Sequence, residues 1–256
     1  MTEIDVSDLT VSRGGRAILR NVGLRARGGE FIAVIGANGA GKSTLLAALA
    51  GLLKPDRGAV TFDGHPIGGL PRMEIARKRA YLPQDPRCEW PISVERLVAL
   101  GLTPLLPVFG GLSDSHKTRV TEVLTACDLL AQRDQAATTL SGGELARAML
   151  ARALVGDPMI LLADEPMEGL DPRHTLETVT RLGALARSGK LVIASVHNLT
   201  LAARYATRIV ALHQGRIAAD GPPGQSLTPD LLRRIFDVDA SISGANGRIF
   251  VDYFTR

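Results

Sequence analysis

The chain has 256 residues, and its 30 Lys and Arg residues against 26 Asp and Glu residues give a formal net charge of +4. Hydrophobic residues make up 45% and charged residues 22%, which is ordinary globular usage and excludes wholesale disorder. The small positive excess contains no long run of like charges, so nucleic acid is not an expected partner.

Strands alternate with helices along the chain, which predicts an α/β fold with a mainly parallel sheet. In the first half, the predicted elements are a strand over 4–11, a turn at 13–16 into a second strand, a buried strand over 31–35, a helix over 42–53, and a strand over 60–67 with a turn at Asp63-Gly64. A helical segment over 88–140, interrupted by Pro and Gly at 101–111, is followed by buried strands over 159–163 and 191–196 with a helix over 173–187 between them. The last predicted elements are a hairpin over 209–219, a helix after Thr228-Pro229, and a strand pair over 242–254 with a turn at Asn246-Gly247.

Cys88 and Cys127 are the two cysteines, too few for a disulfide framework, and they favour a reducing compartment. Cys127 lies on an apolar helical stripe, which predicts core positions for its members Val120, Val123, Leu124, Cys127 and Leu130. The first 13 residues lack the apolar core of a signal peptide, and Pro and Gly interrupt the longest uncharged stretch, 97–113. The sequence therefore predicts neither a leader nor a membrane-spanning helix.

A glycine-rich turn, Gly36-Ala37-Asn38-Gly39-Ala40-Gly41-Lys42-Ser43-Thr44, follows the buried strand and opens a helix. It fits the pattern of a phosphate-binding loop, in which glycines let backbone N–H groups surround a phosphate. Lys42 is expected to reach the outer phosphates and Ser43 to ligate Mg²⁺. The turn predicts nucleotide binding.

Two acids follow the apolar strand at 159–163. Asp164 is expected to hold the Mg²⁺ shell, and Glu165 to polarise a water for attack on the γ-phosphate. Acids after a strand also serve as helix caps or loop ion pairs, but a phosphate-binding loop in the same chain favours the catalytic interpretation.

The segment Leu140-Ser141-Gly142-Gly143-Glu144 opens a long helix and has two interpretations. Ser141 and Glu144 have the spacing of a capping box, which stabilises a helix N-terminus. A capped N-terminus flanked by glycines is also an anion site.

Six motifs together resemble the ABC-type ATPases, in the order in which that family has them: the Walker A loop at Gly36–Thr44, the Q-loop at Gln84, the signature at Leu140–Glu144, the Walker B strand at Ile160–Glu165, the D-loop at Gly169–Pro172 and the switch histidine His197. The resemblance covers nearly the whole chain. It implies a P-loop NTPase core over 1–84 and 155–225 with an antiparallel β subdomain, an α-helical signature subdomain over 85–154, and a C-terminal extension over 226–256.

The resemblance also implies a head-to-tail homodimer that holds two ATP molecules. Ser141, Gly142 and Gly143 of one copy would contact the γ-phosphate bound by the other. Gln84 would touch Mg²⁺ and the attacking water, and His197 would hydrogen-bond the γ-phosphate. The residues expected to bind ATP are Arg13, Gly36, Asn38, Gly39, Ala40, Gly41, Lys42, Ser43, Thr44, Ser141, Gly142, Gly143, Glu144 and Asp171; those expected to ligate Mg²⁺ are Ser43, Gln84 and Asp164.

Three positions depart from the family pattern. Arg13 stands near the place where an aromatic residue usually stacks on adenine; a guanidinium plane can stack on a base, and the alternative is a solvated turn. Met167 replaces the common Thr, and Asn198 replaces the usual Asp after the histidine. Neither Met167 nor Asn198 removes a catalytic group, but Asn198 is expected to loosen a contact in the switch region.

The sequence is similar to the ATPases of importers for iron–siderophore, haem or cobalamin-type chelates at 98–104, 170–174 and 227–238. This implies peripheral attachment at the cytoplasmic side of the membrane, separate polytopic permease subunits, and an indirect link to a substrate-binding protein. Apolar Trp90-Pro91 and 105–109 favour docking to such subunits, or else form a packed loop. The alternatives are an importer for another metal or an oxyanion, and a soluble ABC ATPase in nucleic-acid maintenance or cofactor assembly.

Overall fold

The computed structural model describes residues 2–85, 87–107, 109–245 and 248–254, and a six-stranded sheet forms its centre. Its neighbouring strands pair in parallel, except for one antiparallel strand at an edge. In spatial order the strands are β10 (Arg216–Gly221), β9 (Arg208–His213), β3 (Phe31–Ile35), β8 (Leu191–Ser195), β7 (Ile160–Ala163) and β6 (Arg79–Leu82). The predicted α/β class with a mainly parallel sheet is confirmed.

Strand β3 is buried on both faces, which explains its uninterrupted apolar sequence. Because side chains alternate along a strand, Phe31, Ala33 and Ile35 pack into one hydrophobic core. Ile32 and Val34 pack into a second core on the opposite face. The strand that leads into the phosphate-binding loop is therefore held from both sides.

A separate antiparallel sheet contributes to the second core. Its strands, in spatial order, are β2 (Arg16–Arg27), β1 (Glu3–Arg13), β4 (Arg57–Phe62) and β5 (His65–Pro66). The predicted turn at Asp63-Gly64 joins β4 to β5, and both of its residues have the positive φ of a tight hairpin turn, 50° and 80°.

The described helices are α1 (Lys42–Leu49), α2 (Arg72–Lys78), α3 (Val94–Ala99), α4 (Asp114–Ala126), α5 (Gly142–Leu154), α6 (Pro172–Arg187), α7 (Leu199–Tyr205), α8 (Pro223–Ser226) and α9 (Pro229–Phe236). Short 3₁₀ helices lie at Ile67–Gly69, Leu100–Leu105, Leu130–Gln132 and Ala137–Thr139. Helix α1 is four residues shorter than the predicted helix over 42–53, because Gly51 adopts a left-handed φ of 67° just beyond its end.

Helices α3, α4 and α5 lie in the segment 85–154 and bury their apolar sides in the first core. Cys127, which ends α4, is buried there, as its stripe predicted. Leu130 departs from that prediction because it lies beyond the helix and is exposed. The division of the chain at 84, 154 and 225 stays a prediction.

The C-terminal residues form α9 and an antiparallel pair, β11 (Asp239–Ala245) and β12 (Arg248–Phe254). Thr228 caps α9 by accepting from the backbone N–H of Leu231, and Pro229 is its first residue, as predicted. The β11–β12 pair contacts α7, because the Thr200 hydroxyl donates to the Val251 carbonyl oxygen and accepts from the Val251 N–H. The turn predicted at Asn246-Gly247 lies outside the described residues.

Within the part of the chain described here, no helix has the length and apolar character needed to cross a membrane.

Candidate active site

The phosphate-binding loop runs from the end of β3 to the start of α1, as its sequence predicts. Gly36 has a φ of 153°, and a Cβ there would lie 2.4 Å from the Leu212 carbonyl oxygen. Gly41, which precedes α1, has a φ of 107°. Both positions require glycine, because another residue would suffer backbone strain and a close contact. No side chain of the described residues caps the N-terminus of α1, so its N–H groups face the loop.

Lys42 spans the loop from the first turn of α1. Its Nζ donates to the carbonyl oxygens of Gly36 at 2.9 Å and Ala37 at 3.3 Å. Burial lowers the pKa of this ammonium, while the carboxylates of Glu165 and Asp164 act in the opposite direction. The loop therefore holds a desolvated positive charge, which attracts a phosphate more strongly than a charge in water.

Asp164 and Glu165 follow β7, and the hydroxyl of Ser195 at the end of β8 joins them. The Ser195 hydroxyl donates to Asp164 Oδ1 at 2.6 Å and accepts from the backbone N–H of Glu165 at 2.7 Å. Asp164 is only 2% exposed, and Glu165 has a left-handed φ of 51°. Ser195 thus orients both acids. Sequence reasoning missed it, although it is the one polar residue in the run Leu191–Ser195.

The Glu165 carboxylate is bonded by two other predicted catalytic residues. Gln84 Nε2 donates to Glu165 Oε2 at 2.9 Å, and His197 Nε2 is hydrogen-bonded to Glu165 Oε1. Gln84 also donates to Glu168 at 3.2 Å. Burial raises the pKa of the Glu165 carboxyl, with a further rise from Glu168 that the hydrogen bond to His197 opposes. A carboxyl with a raised pKa and two orienting partners is suited to accept a proton from water.

These groups line one cleft of about 730 Å³. Its lining includes ten of the predicted site residues: Arg13, Asn38, Gly39, Gly41, Lys42, Ser43, Thr44, Gln84, Glu165 and His197. Gly36, Ala40 and Asp164 lie beneath this surface. Arg13 is exposed beside a turn of two glycines, so it is available to a base; stacking on adenine stays a prediction. Sequence reasoning did not identify Ile18, Glu168, Thr175, Ser195, Val196 and Leu201 as lining residues.

The signature residues lie outside this cleft. Ser141 caps α5 by accepting from the Glu144 N–H at 3.3 Å, and the Glu144 carboxylate accepts from the Ser141 N–H at 2.8 Å. The predicted capping box is therefore present, and the bonds from Ser141 lower the pKa of Glu144. Asp171 caps α6 and accepts from the His174 N–H at 2.9 Å. Neither motif belongs to the lining of the cleft in the described chain.

Replacing Ser195 by Ala is expected to lower the rate of ATP hydrolysis about tenfold, because a buried acid and a buried N–H lose a shared partner worth roughly 1–3 kcal/mol. Steady-state phosphate release measures the effect. Ser188→Ala, at the exposed end of α6, is the matched control and should leave the rate unchanged. An unchanged rate in Ser195→Ala would show that the hydroxyl does not orient the acids.

A P-loop between a parallel strand and a helix, with two acids at the end of β7, which β8 separates from β3 in the same sheet, defines a nucleotide-binding domain of the P-loop NTPase class. The sequence model of the ABC transporter family matches residues 19–168. The chain belongs to this family, and it is an ATPase with the cassette fold.

Similar proteins give the same assignment. The chain is 41% identical over 252 residues to the hemin import ATP-binding protein HmuV of Rhodopseudomonas palustris strain BisA53, covering 95% of this chain and 91% of that protein. A dimeric ATP-binding cassette bound to ADP and Pi superposes with a TM-score of 0.76 at 28% identity, covering 86% of this chain and 98% of that one. A chain of an ABC transporter assigned to the metal-chelate type, in an inward-facing conformation, has the same fold, with a TM-score of 0.83 at 21% identity and coverage of 99% and 97%.

Proposed function

We propose that this chain is the ATP-hydrolysing subunit of an importer that takes up a metal chelate, with hemin as the first ligand to test, through separate membrane subunits. One observation carries the catalytic part of the proposal: Gln84 and His197 both hold the Glu165 carboxylate, in the cleft that Lys42 and the phosphate-binding loop line. The similarity to hemin import ATP-binding proteins supports the transport part.

Mg²⁺ is part of the proposed site, and the donor set fits it. Ser43, Gln84 and Asp164 offer hydroxyl, amide and carboxylate oxygens, which are the hard ligands that Mg²⁺ prefers. Mg²⁺ is usually held by one or two carboxylates together with substrate phosphates, and Asp164 would be the carboxylate here. Bound Mg²⁺ would neutralise charge on the β- and γ-phosphates.

Glu165 is the proposed general base. Its carboxylate would accept the proton of the attacking water, while the Gln84 amide fixes Oε2 and the Ser195 hydroxyl fixes the backbone. His197 is hydrogen-bonded to Glu165 Oε1, and its half-exposed ring lines the cleft; it is proposed to hydrogen-bond the γ-phosphate when ATP is bound. Lys42 would stabilise the charge on the outer phosphates.

The signature motif supports a dimer. Its position outside the cleft leaves the γ-phosphate without the contacts that Ser141, Gly142 and Gly143 are proposed to make, so a second copy would supply them head to tail. Glu144 is bound to Ser141 and is proposed to hold the helix N-terminus in shape for that contact. Asp171 is proposed to reach the same interface.

The transport part of the proposal requires a surface for membrane subunits at the cytoplasmic face. Trp90 is 70% exposed and Phe109 is 91% exposed, both within the segment between β6 and α4. Large aromatic side chains in water favour a protein contact. These two residues support docking near 84–110. A substrate-binding protein would take part only indirectly.

Purification of the tagged chain from detergent-solubilised native membranes tests this proposal. A polytopic membrane subunit is expected to co-elute, and a strain without the chain is expected to lose growth on hemin as iron source. The double variant Trp90→Ala/Phe109→Ala should lose the membrane subunit and retain ATP hydrolysis. Tyr253→Ala is the matched control, because it removes another exposed aromatic ring, in β12 and outside the proposed docking segment 84–110.

Two outcomes would contradict the proposal in different ways. Recovery of soluble partners alone would overturn the transport function and leave the ATPase. Growth on hemin without the chain, but not on another chelate or metal salt, would correct the ligand.

A further inference from the structure

The imidazole ring of His174 lies between two carboxylates from separate parts of the fold. Its Nδ1 is 2.6 Å from Oδ2 of Asp171, the residue that caps α6. Its Nε2 is 3.5 Å from Oδ2 of Asp128, which follows α4. The His174 side chain is only 13% exposed, although both carboxylates reach solvent. The ring therefore bridges the Asp171 loop and the helical segment that holds the signature.

The position of Asp128 is fixed by the way in which α4 ends. Asp128 has a left-handed φ of 54°, and its N–H donates to the Thr125 carbonyl oxygen at 3.1 Å. The Leu129 N–H donates to the Leu124 carbonyl oxygen at 2.9 Å, and both leucines are fully buried. These bonds form a Schellman motif, in which Asp is tolerated at the left-handed position. The carboxylate consequently moves with α4.

Two further contacts join α6 to the same turn. The Arg181 guanidinium donates to the Ala126 carbonyl oxygen, and the Arg173 guanidinium lies 3.8 Å from Asp128 while it also pairs with Glu177. Arg173 and Glu177 are therefore charged neighbours of the His174 bridge.

The Asp171 loop also lies beside the signature turn. A Cβ on Gly143 would lie 3.6 Å from the Gly169 carbonyl oxygen, which is van der Waals distance. The two motifs proposed to face a second copy are thus adjacent to each other at one end and are joined through His174 at the other.

We propose that His174 is a positioning residue that ties Asp171 to the helical segment through Asp128, so that the Asp171 loop and the signature move as one unit. This inference rests on the proposed function, because the unit matters only when it closes on nucleotide bound by a second copy. His174 is not among the residues that line the cleft, and it acts through Asp171.

The chemistry of the bridge sets the choice of variants. Ionised carboxylates only accept hydrogen bonds, so the bridge depends on N–H donors of the ring. His174→Phe removes both ring nitrogens and keeps an aromatic ring. Asp128→Asn removes one charge and keeps a residue type that tolerates the left-handed turn. Glu122→Gln removes one exposed charge from α4 without contact to the bridge, and is the matched control.

Hydrogen exchange measured by mass spectrometry tests the bridge without any need for catalysis. In Asp128→Asn and in His174→Phe, peptides covering 169–175 are expected to exchange faster than in the natural chain. Glu122→Gln should match the natural chain. Unchanged exchange at 169–175 in both variants would overturn the proposal.

ATP hydrolysis tests what the bridge does. Each single variant is expected to lower kcat about fivefold and to leave KM for ATP within about twofold, since the phosphate-binding loop is untouched. The double variant should be no slower than His174→Phe, because phenylalanine already removes the link that Asp128→Asn weakens. Losses that multiply, or a KM that rises in step with the fall in kcat, would overturn the positioning role. A natural chain that hydrolyses no ATP would contradict the proposed function instead, and hydrogen exchange would still decide whether the bridge exists.

Discussion

Glu165→Gln is expected to lower kcat for ATP hydrolysis by at least about a hundredfold, because Gln cannot accept the proton of the attacking water. The amide keeps the size of the side chain, so Mg-ATP should still bind. With hydrolysis blocked, an ATP-bound dimer should accumulate. Phosphate release measures the first effect, and light scattering after size exclusion in excess Mg-ATP measures the second. A variant that stays monomeric would contradict the two-copy site.

Glu168→Gln provides the comparison within the same cleft. Glu168 accepts from Gln84 but has no proposed proton-transfer role, so turnover should fall by less than about fivefold. Glu168 raises the pKa of Glu165, and its neutralisation should lower that pKa. A base with a lower pKa stays ionised in more acidic solution, so the acidic limb of the rate profile should move to lower pH. A shift to higher pH would contradict the assignment of Glu165 as the base.

Lys42→Met is expected to weaken Mg-ATP binding about a hundredfold, the loss of charged hydrogen bonds worth roughly 3 kcal/mol. The same change should leave the melting temperature of the nucleotide-free protein unchanged or raise it. The reason is that burial disfavours the Lys42 ammonium, as its lowered pKa indicates. Methionine fills the space without a charge, which offsets the loss of the hydrogen bonds from Lys42 to the Gly36 and Ala37 carbonyl oxygens. Titration with a fluorescent ATP analogue and thermal unfolding measure the two effects.

Lys54→Met is the control for this pair of measurements. Lys54 is exposed, close in sequence to the end of α1, and outside the lining of the cleft. It should change neither nucleotide affinity nor melting temperature. A Lys42→Met protein that binds Mg-ATP with natural affinity would exclude this loop as the phosphate site.

The phosphate-binding loop and the acids could be predicted from sequence because their chemistry is local. Glycines, Lys42 and a hydroxyl must follow one another within a single turn, and the acids must follow a buried strand. The α/β class was predictable for the same reason, since apolar runs such as Phe31–Ile35 reveal strands buried on both faces.

Other parts of the site depend on contacts between distant segments, which a single sequence does not display. Ser195 looks like an ordinary strand end until the sheet brings it beside Asp164, 31 positions away. The His174 bridge likewise depends on a left-handed turn at Asp128, 46 positions earlier. The stop of α1 near Gly51 was missed because the apolar sequence continues beyond it, so the pattern gave no sign of the end.

The packing of β3 from both faces has a mechanical consequence. A strand packed on one face can bend away from it when its neighbours shift. A displacement of β3 toward either face is instead opposed by the close-packed core on that side. The phosphate-binding loop is therefore anchored at a stiff part of the molecule. Helices α3–α5 bury their apolar residues in the first core only, so a movement of these helices, together with the Asp171 loop to which they are tied, leaves the second core and its support of β3 in place.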